Sequence, residues 1–588
     1  MKRKFGMIAA VVLSSALTGT YADTITWTNT AGGSFQTAAN WSPTNRIPGG
    51  LDTAQFNASY AGNYTVTLDD HVSVTNVAFP SGQFGLTLDL NGYGLTSASN
   101  GTVVLGSSVG SAIDLTVKSS MPGGKFNLYH MNFYSSAANA GGLVNITGSN
   151  TCVNVTVGAI KENSVFNLTT NSTFTVSDGA HLTASWHTLY ALGTAGWGNG
   201  VATASPRATM IITDPGTTFT NGLTVFLGKE GTNMPTLVVT NGAKCKAGGL
   251  SIGTGGDTWY SYSPKANGKL VVTGTNSYCE TSSMAMSSLA GEYGTAGSTA
   301  GGYAVVEKGG ALRSLGAIYL SGGLIHYYPA NNLNPGSVTN LDAYGEIVVR
   351  NPGSQLSVGT TLQITTVAKG ACYVLDGATL TSGASSSLIL SYGFVAASVT
   401  GTTTNQTAYT NVNAYGLFVV SNANSSANFN NVRFGPYGSY GDVIVADNAR
   451  LNVTNGSGGY ITLTSRSKLT VSDAFVETKT LTTVSNSTVR IELGARDHAD
   501  AYIKTTTLAA LNADATLEVG VLDGATLTPG DTVTLLTYTG TRTGTFKNLP
   551  EGSAFFVGGY RFRIYYGDGS NDAVTLKYLP LGTMIRVR

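Results

Sequence analysis

The segment LVVTNGAKCKAGGLSIG, residues 237–253, contains a short β-branched strand, a tight Asn-Gly turn and a second alternating strand. Asn and Gly suit the positive φ angles of tight turns, and alternation is typical of a half-buried strand. The pattern recurs in FTVSDGAHLTASWHTLY (174–190), MIITDPGTTFTNGLTVFLG (210–228), LVVTGTNSYCETSSMAMS (270–287), AVVEKGGALRSLGAIYL (304–320), IVVRNPGSQLSVGTTLQI (347–364) and CYVLDGATLTS (372–382). Repetition of one unit with variable intervals predicts coils that stack on one another.

Two inward columns follow from this stacking. One column contains a single aliphatic residue from the first strand of each repeat unit. Its members are Val176, Ile212, Val239, Val272, Val306, Val349 and Val374. The second lies six or seven residues further on: Leu182, Phe219, Cys245, Cys279, Leu312, Leu356 and Leu380. We expect like positions to stack at the ~4.8 Å spacing of neighbouring strands. A globular β-sandwich is the alternative, but it does not explain seven copies of one unit.

The fold class predicted is therefore all-β, a β-solenoid. The unit loosens but persists to residue 508, since segments such as GDVIVADNARLNVTNG (441–456) still alternate. We divide the chain into residues 1–22, an N-terminal cap with the first coils at 23–100, a repeat region at 101–508, and a C-terminal β cap with a short tail at 509–588. About 30 residues per coil predicts roughly 15 coils, each adding one strand spacing.

The first 22 residues have the form of a secretory signal. Lys2, Arg3 and Lys4 precede an apolar stretch from Ile8 to Leu17, which is too short to span a bilayer. An uncleaved membrane anchor is the alternative. We expect an exported chain, located outside the cell or at its surface, with an association with the outer membrane left open and no integral membrane segment after the signal is removed.

Charge is sparse, because only 11% of residues are Asp, Glu, Lys or Arg, with 32 basic and 31 acidic side chains. A near-neutral chain lacks the basic field that attracts nucleic acid, so we expect no nucleic-acid partner. The four cysteines contain no C-x-x-C pair, which argues against a structural zinc site. Cys245 and Cys279 would be neighbours on adjacent coils, either as a disulfide or as two buried thiols.

Both ends of the chain differ from the repeats. The segment TITWTNTAGGSFQTAANWSPTNRIPGGLDTAQF (24–56) is rich in aromatic residues, which predicts a cap that closes the first coil. Near the other end are the phrases TLLTYTG (534–540), GTFKNLPEG (544–552) and GDGSNDAV (567–574). Together with the repeats, these stretches resemble bacterial exported β-helix proteins, namely autotransporter passengers and PEP-CTERM-associated repeat proteins. The resemblance implies a right-handed parallel β-helix at the cell surface or in the medium, without assigned catalysis.

The chain departs from that family after Tyr578. The remaining residues, LPLGTMIRVR (579–588), contain neither the strands of a translocator barrel nor a PEP-CTERM tail. We therefore expect that the chain does not export itself across an outer membrane, and its route of export stays open.

Catalytic residues are not expected. The acids of the repeats, Asp178, Asp214, Glu280, Glu307 and Asp376, fall mostly at predicted turns, where they cap their own backbone. The cluster GARDHAD (494–500) is read as a solvated loop, and the single GDGSND (567–572) as a hairpin turn instead of a calcium repeat. We expect no enzyme activity, no cofactor and no metal. A carbohydrate-active β-helix enzyme is the alternative, because paired carboxylates on adjacent coils would support glycoside chemistry.

Aromatic residues in the loops suggest a ligand. Loops after the second strand would line one edge of a right-handed solenoid, and exposed rings beside Asn and Ser suit sugar rings. The candidate ligand-binding ridge comprises Trp186, Trp197, Trp259, Tyr260, Tyr262, Tyr327 and Tyr328. The alternative is that the loops fold back and bury these rings. We therefore expect a structural protein with an adhesive role toward a cell-surface or extracellular polysaccharide, or a subunit of a surface array.

Overall fold

The structure is a computed structural model. It describes residues 22–44, 46–56, 62–79, 85–98, 102–105, 114–133, 142–155, 166–168, 173–184, 189–191, 208–228, 234–253, 265–287, 299–321, 342–365, 368–391, 394–395, 409–410, 414–435, 440–454, 456, 458–567 and 572–580.

The chain winds through three faces, each a ladder of parallel strands from successive coils. Face 1 consists of Gly33–Ser34, Asn63–Thr67, Gly85–Asp89, Asp114–Lys118, Leu143–Thr147, Thr173–Ser177, Thr209–Ile212, Thr236–Thr240, Lys265–Thr273, Thr299–Glu307, Asp342–Arg350, Lys369–Leu375, Tyr415–Ser421, Tyr440–Ala446, Lys468–Ser472, Thr488–Leu493 and Thr516–Val521. The predicted parallel β-helix is confirmed, while its right-handed winding stays a prediction.

Face 2 follows face 1 along each coil. It consists of Val72–Val74, Gly94–Ser97, Gly124–Leu128, Thr151–Val155, His181–Ala184, Tyr278–Thr281, Ala311–Ser314, Gln355–Val358, Thr379–Ser382, Ser426–Asn428, Arg450–Val453 and Thr532–Tyr538. Four longer strands run through faces 2 and 3 together: Thr218–Leu227, Lys244–Ile252, Phe475–Thr483 and Ile503–Ala510.

Face 3 completes each coil. Its strands are Thr24–Trp27, Thr53–Phe56, Asn76–Phe79, Thr102–Leu105, His130–Phe133, Phe166–Leu168, Leu189–Ala191, Met284–Met286, Ile318–Tyr319, Thr361–Gln363, Ser387–Ile389, Asn431–Arg433, Tyr460–Leu463 and Thr541–Thr543. Outside the three ladders, Trp41–Ser42 pairs antiparallel with the first strand, and Phe394–Val395 pairs with Tyr409–Thr410. Ala38–Asn40 forms the one helical turn in the described ranges, and no helix there is long and apolar enough to cross a membrane.

Both inward columns are confirmed residue by residue. On face 1 the seven aliphatic residues from Val176 to Val374 pair in the predicted order. On face 2 the column from Leu182 to Leu380 does the same. Their side chains are at most 1% exposed and belong to one hydrophobic core. Burial of equivalent side chains on every coil is what fixes the register, since a shift of one residue would turn them outward.

The turns between faces 1 and 2 use positive φ angles. Asp178, Asp214 and Asp376 have φ of 53°, 78° and 54°, so these three acids are turn residues as predicted. Glu280 and Glu307 are different, because they lie within strands. Glu280 forms ion pairs with cations on both neighbouring coils, and Glu307 pairs with Arg350, so cross-strand charge pairing holds these two acids in the ladder.

The two ends of the helix are closed differently. At the N-terminal end, Trp27, Phe35, Trp41 and Phe56 are fully buried, with ring centroids 4.7–6.4 Å apart. At the C-terminal end, three strands, Ala554–Val557, Tyr560–Tyr565 and Ala573–Leu579, form an antiparallel sheet that continues from Thr532–Tyr538. The predicted boundaries of the domains stay predictions.

Gly345 lies in a face 1 strand at a point where the backbone of the preceding coil leaves no room for a side chain. A Cβ on Gly345 would lie 1.5 Å from the carbonyl oxygen of Leu320, which belongs to the backbone of the preceding coil. We expect Gly345→Ala to destabilise the protein by about 1–3 kcal/mol, because the backbone must shift to make room. Urea unfolding checks this, with Gly222→Ala as control, since a Cβ there has no neighbour within 4 Å. Equal midpoints for the two variants would contradict the close packing of the coils.

Candidate functional site

Tyrosine side chains form a column on the outer surface of face 1. Tyr344, Lys369, Tyr415 and Tyr440 are direct partners on four successive coils. Their positions are half-buried, except that Lys369 is exposed. The rings of Tyr415 and Tyr440 have centroids 5.3 Å apart with an interplanar angle of 46°. Parallel pairing in register therefore brings together aromatic rings that lie up to 96 residues apart in the chain.

The sequence reason for this column is a repeated Tyr-Gly step. YGEIVV (344–349), YGLFVV (415–420) and YGDVIV (440–445) lie at the same register in their face 1 strands. In a strand, neighbouring residues point to opposite sides, so each tyrosine points outward while its glycine points inward. A Cβ on Gly416 would lie 1.8 Å from the carbonyl oxygen of Leu390, the same restriction as at Gly345.

These rings border an open cavity of about 460 Å³. We call it the tyrosine cleft, lined by Tyr344, Lys369, Gly370, Ala371, Tyr373, Tyr415, Leu417 and Tyr440. Ala371 points outward yet is only 2% exposed, because larger neighbours cover it. The cleft thus has an apolar floor and aromatic walls, with Lys369 as the charged group among its lining residues.

Two carboxylates hold the tyrosine hydroxyls. Tyr344 donates to Glu346 at 2.7 Å, and Tyr415 donates to Asp442 at 2.9 Å. Burial raises the pKa of both phenols, and the hydrogen-bonded carboxylates raise it further by favouring the protonated form. The phenols therefore stay neutral at physiological pH, and the rings keep fixed orientations.

Arg466 closes one end of the column. Its guanidinium carbon lies 4.5 Å from the centroid of the Tyr440 ring, which is a cation–π contact. At the other end, the ring of Tyr303 lies 6.3 Å from that of Tyr344. The aromatic surface therefore extends over the coils from Tyr303 to Arg466.

An apolar stripe runs beside the cleft on face 1. Eight outward, half-buried residues pair in sequence: Ile211, Val238, Val271, Val305, Val348, Tyr373, Val419 and Ile444. At ~4.8 Å per strand the stripe is about 34 Å long. Tyr373 belongs to both the stripe and the cleft, so the two form a continuous surface suited to an elongated ligand.

Asp442 provides a pH-dependent test of this arrangement. Burial raises its pKa above the usual 3.8, although the hydrogen bond from Tyr415 opposes the shift. A raised carboxyl pKa means that the folded state favours the protonated form of Asp442. The protonated carboxyl therefore adds to the free energy of unfolding at low pH, and this contribution is lost as pH rises through the folded pKa. We expect Asp442→Asn to be more stable than the wild type at pH 7, with the difference shrinking as pH falls toward 3.8. Thermal melts at several pH values measure it, and a difference that grows in acid would contradict the assignment.

The candidate ridge of loop aromatics is not tested by the part of the chain that the structure describes. Trp186, Trp197, Trp259, Tyr260, Tyr262, Tyr327 and Tyr328 all fall outside the described residues. Their role as ligand contacts stays a prediction. The tyrosine cleft was not foreseen from the sequence, although the Tyr-Gly steps were a signal that could have revealed it.

Cys245 and Cys279 are direct partners on adjacent coils, as the sequence predicted. Both side chains are buried, and the two sulfur atoms are not joined by a disulfide bond. The Cys245 side chain and burial raise the pKa of the Cys279 thiol, so this thiol stays protonated in the reduced protein. Neighbouring parallel strands place the two Cα atoms within the range that a disulfide accepts, and the oxidised form stays a prediction.

The cluster around His498 does not form a site of paired acids. Arg496 stacks on Tyr502 at 4.6 Å from the ring centroid, and its backbone nitrogen donates to Asp473. Burial lowers the pKa of His498, whose Nε2 is enclosed without a hydrogen-bond partner. Residues 568–571 of the predicted hairpin turn lie outside the described residues. The described ranges contain no group of three or more His, Cys, Asp or Glu residues placed to hold a metal ion.

Comparisons with known proteins add little to this picture. No family model matches the chain, and no curated protein matches it. Among solved structures, a similarity covers 79% of this chain and 99% of a TibC-catalysed, hyper-glycosylated TibA fragment, at 12% identity and a TM-score of 0.19. Because that score is so low, the fold assignment rests on the parallel ladders of this chain.

Proposed function

We propose that this chain is an exported, non-enzymatic β-helix protein with an adhesive role, and that it binds a polysaccharide in the tyrosine cleft. The main support for the proposal is the column of Tyr344, Lys369, Tyr415 and Tyr440 on four successive coils beside an open cavity. The proposal keeps the ligand class predicted from the sequence but places it on face 1 instead of the loops.

The chemistry of the cleft suits a sugar polymer. Pyranose rings present apolar C–H faces that pack on aromatic rings and hydroxyls that hydrogen-bond at the rim. Here the rings of Tyr415 and Tyr440 offer such faces, Lys369 and Asp442 offer polar partners near them, and Glu346 lies beside Tyr344. The apolar stripe would support further units of the same polymer along the coils.

The carboxylates of the cleft support a binding role over a glycosidase. Glu346 and Asp442 occupy one outward column but are separated by three strand spacings, about 14 Å between backbone positions. Paired catalytic carboxyl groups are separated by roughly 5–10 Å. Each carboxylate also accepts a hydrogen bond from a tyrosine, which orients an aromatic wall.

A glycan-array assay on the purified protein, with soluble products measured in parallel, tests the proposal. We expect retention of one class of polysaccharide without release of oligosaccharides. Release of shorter products would instead support the carbohydrate-active enzyme. Absence of any retained glycan would leave the chain as a structural scaffold and overturn the binding role.

A further inference from the structure

The outer surface of the C-terminal antiparallel sheet concentrates positive charge. Arg561 and Arg563 alternate along one strand with the core residues Phe562 and Ile564, so both arginines point away from the core. Lys577 is the direct cross-strand partner of Arg563. We call Arg561, Arg563, Lys577 and Phe556 the C-terminal cationic face.

This placement has an energetic cost within the fold. Like charges directly opposite each other on neighbouring strands are destabilising. Within the described ranges, neither arginine nor Lys577 forms an ion pair, and the Nε atoms of Arg561 and Arg563 are buried without hydrogen-bond partners. An anion supplied from outside would relieve the repulsion by binding the outer nitrogens of the guanidinium groups and the Lys577 ammonium.

An exposed aromatic residue lies on the same surface. Phe556 is the direct partner of Arg561, is 68% exposed, and has the Arg561 guanidinium 5.9 Å from its ring centroid. It has the largest exposed fraction among the exposed large hydrophobic residues of the described chain. Cations beside an exposed phenylalanine suit a surface that is anionic above and apolar below, which is the arrangement of phospholipid headgroups over acyl chains.

We propose that the C-terminal cationic face docks the protein on an anionic phospholipid surface. Arg561, Arg563 and Lys577 bind headgroup phosphates, and Phe556 enters the boundary between headgroups and acyl chains. A guanidinium group can donate two parallel hydrogen bonds to the oxygens of one phosphate. Arg561 and Arg563 therefore suit phosphate headgroups better than lysines would. This attachment is independent of glycan binding in the tyrosine cleft.

Co-sedimentation with vesicles tests the proposal on the whole protein. We expect binding to vesicles of phosphatidylglycerol with phosphatidylcholine, weakening with added salt, and no binding to phosphatidylcholine alone. Each cation contributes about a fivefold change in affinity for the anionic vesicles. We therefore expect this affinity to fall about a hundredfold in the triple variant Arg561→Gln/Arg563→Gln/Lys577→Gln. Phe556→Ser should weaken binding several-fold while leaving the salt dependence in place.

The matched control is Lys125→Gln/Lys244→Gln/Lys308→Gln, which removes the same charge from exposed positions elsewhere. This control should bind like the wild type, and thermal melts should show that the cationic-face variant stays folded, since it removes a like-charge pair. Equal loss in both triple variants would overturn the site, because net charge alone would then explain the binding. Binding of dextran sulfate without binding of vesicles would overturn the lipid assignment.

Discussion

Replacing Tyr415 and Tyr440 together by alanine is expected to lower affinity for the retained polysaccharide about a hundredfold. The two rings are direct neighbours in the column, with centroids 5.3 Å apart, and truncating an aromatic contact in a binding site costs about 1–2 kcal/mol or more. Isothermal titration with the polysaccharide selected on the array measures the loss.

The conservative double variant Tyr415→Phe/Tyr440→Phe is the control for this experiment. It keeps both rings and removes only the hydroxyls, including the one that donates to Asp442. We expect its affinity to stay within about fivefold of the wild type, since one net hydrogen bond contributes about 1 kcal/mol or less. If the alanine variant binds as well as the phenylalanine variant, the rings are not the contact surface.

Trp41→Ala is expected to destabilise the N-terminal coils by about 3–5 kcal/mol, the usual cost of removing a large buried ring. Trp41 is fully buried, its ring centroid lies 5.0 Å from that of Trp27 and 4.7 Å from that of Phe35, and its Nε1 donates to the Phe35 carbonyl oxygen at 2.7 Å. Because coils contact mainly their neighbours, the damage should stay local.

Hydrogen exchange resolved by segment measures this locality. Exchange should accelerate in Thr24–Trp27 and Thr53–Phe56, while Thr488–Leu493 near the other end keeps its protection. Trp41→Phe, which retains most of the ring, should show a smaller change. Uniform acceleration along the whole chain would mean that the helix unfolds as one unit and that the aromatic cluster is not an end cap.

The interior of the helix was predictable because its signal is local. Each coil repeats a β-branched strand, a turn with Asn, Asp or Gly, and a second strand, so Val239 and Cys245 identify their partners Val272 and Cys279 by pattern alone. Burial enforces this pattern at every coil, and it therefore appears in the sequence each time.

The tyrosine cleft was harder to foresee, since it depends on alignment across loops of unequal length. Lys369, Tyr415 and Tyr440 pair in the ladder although 46 residues separate the first two in the sequence and 25 separate the last two. Outward positions are under a weaker burial constraint than the inward columns, so the residue type at the tyrosine position changes from coil to coil, as at Lys369. Loop aromatics such as Trp259 attract attention in the sequence because they cluster locally, yet face 1 gathers its rings from separate coils.

Oxidative footprinting of aromatic side chains, with and without the bound polysaccharide, tests the proposed site most directly. We expect the ligand to protect Tyr344, Tyr415 and Tyr440 from hydroxyl radicals, while Trp186 and Trp259 react equally in both samples. Protection confined to the tryptophans, with the three tyrosines unchanged, would contradict binding in the cleft and move the site to the loops.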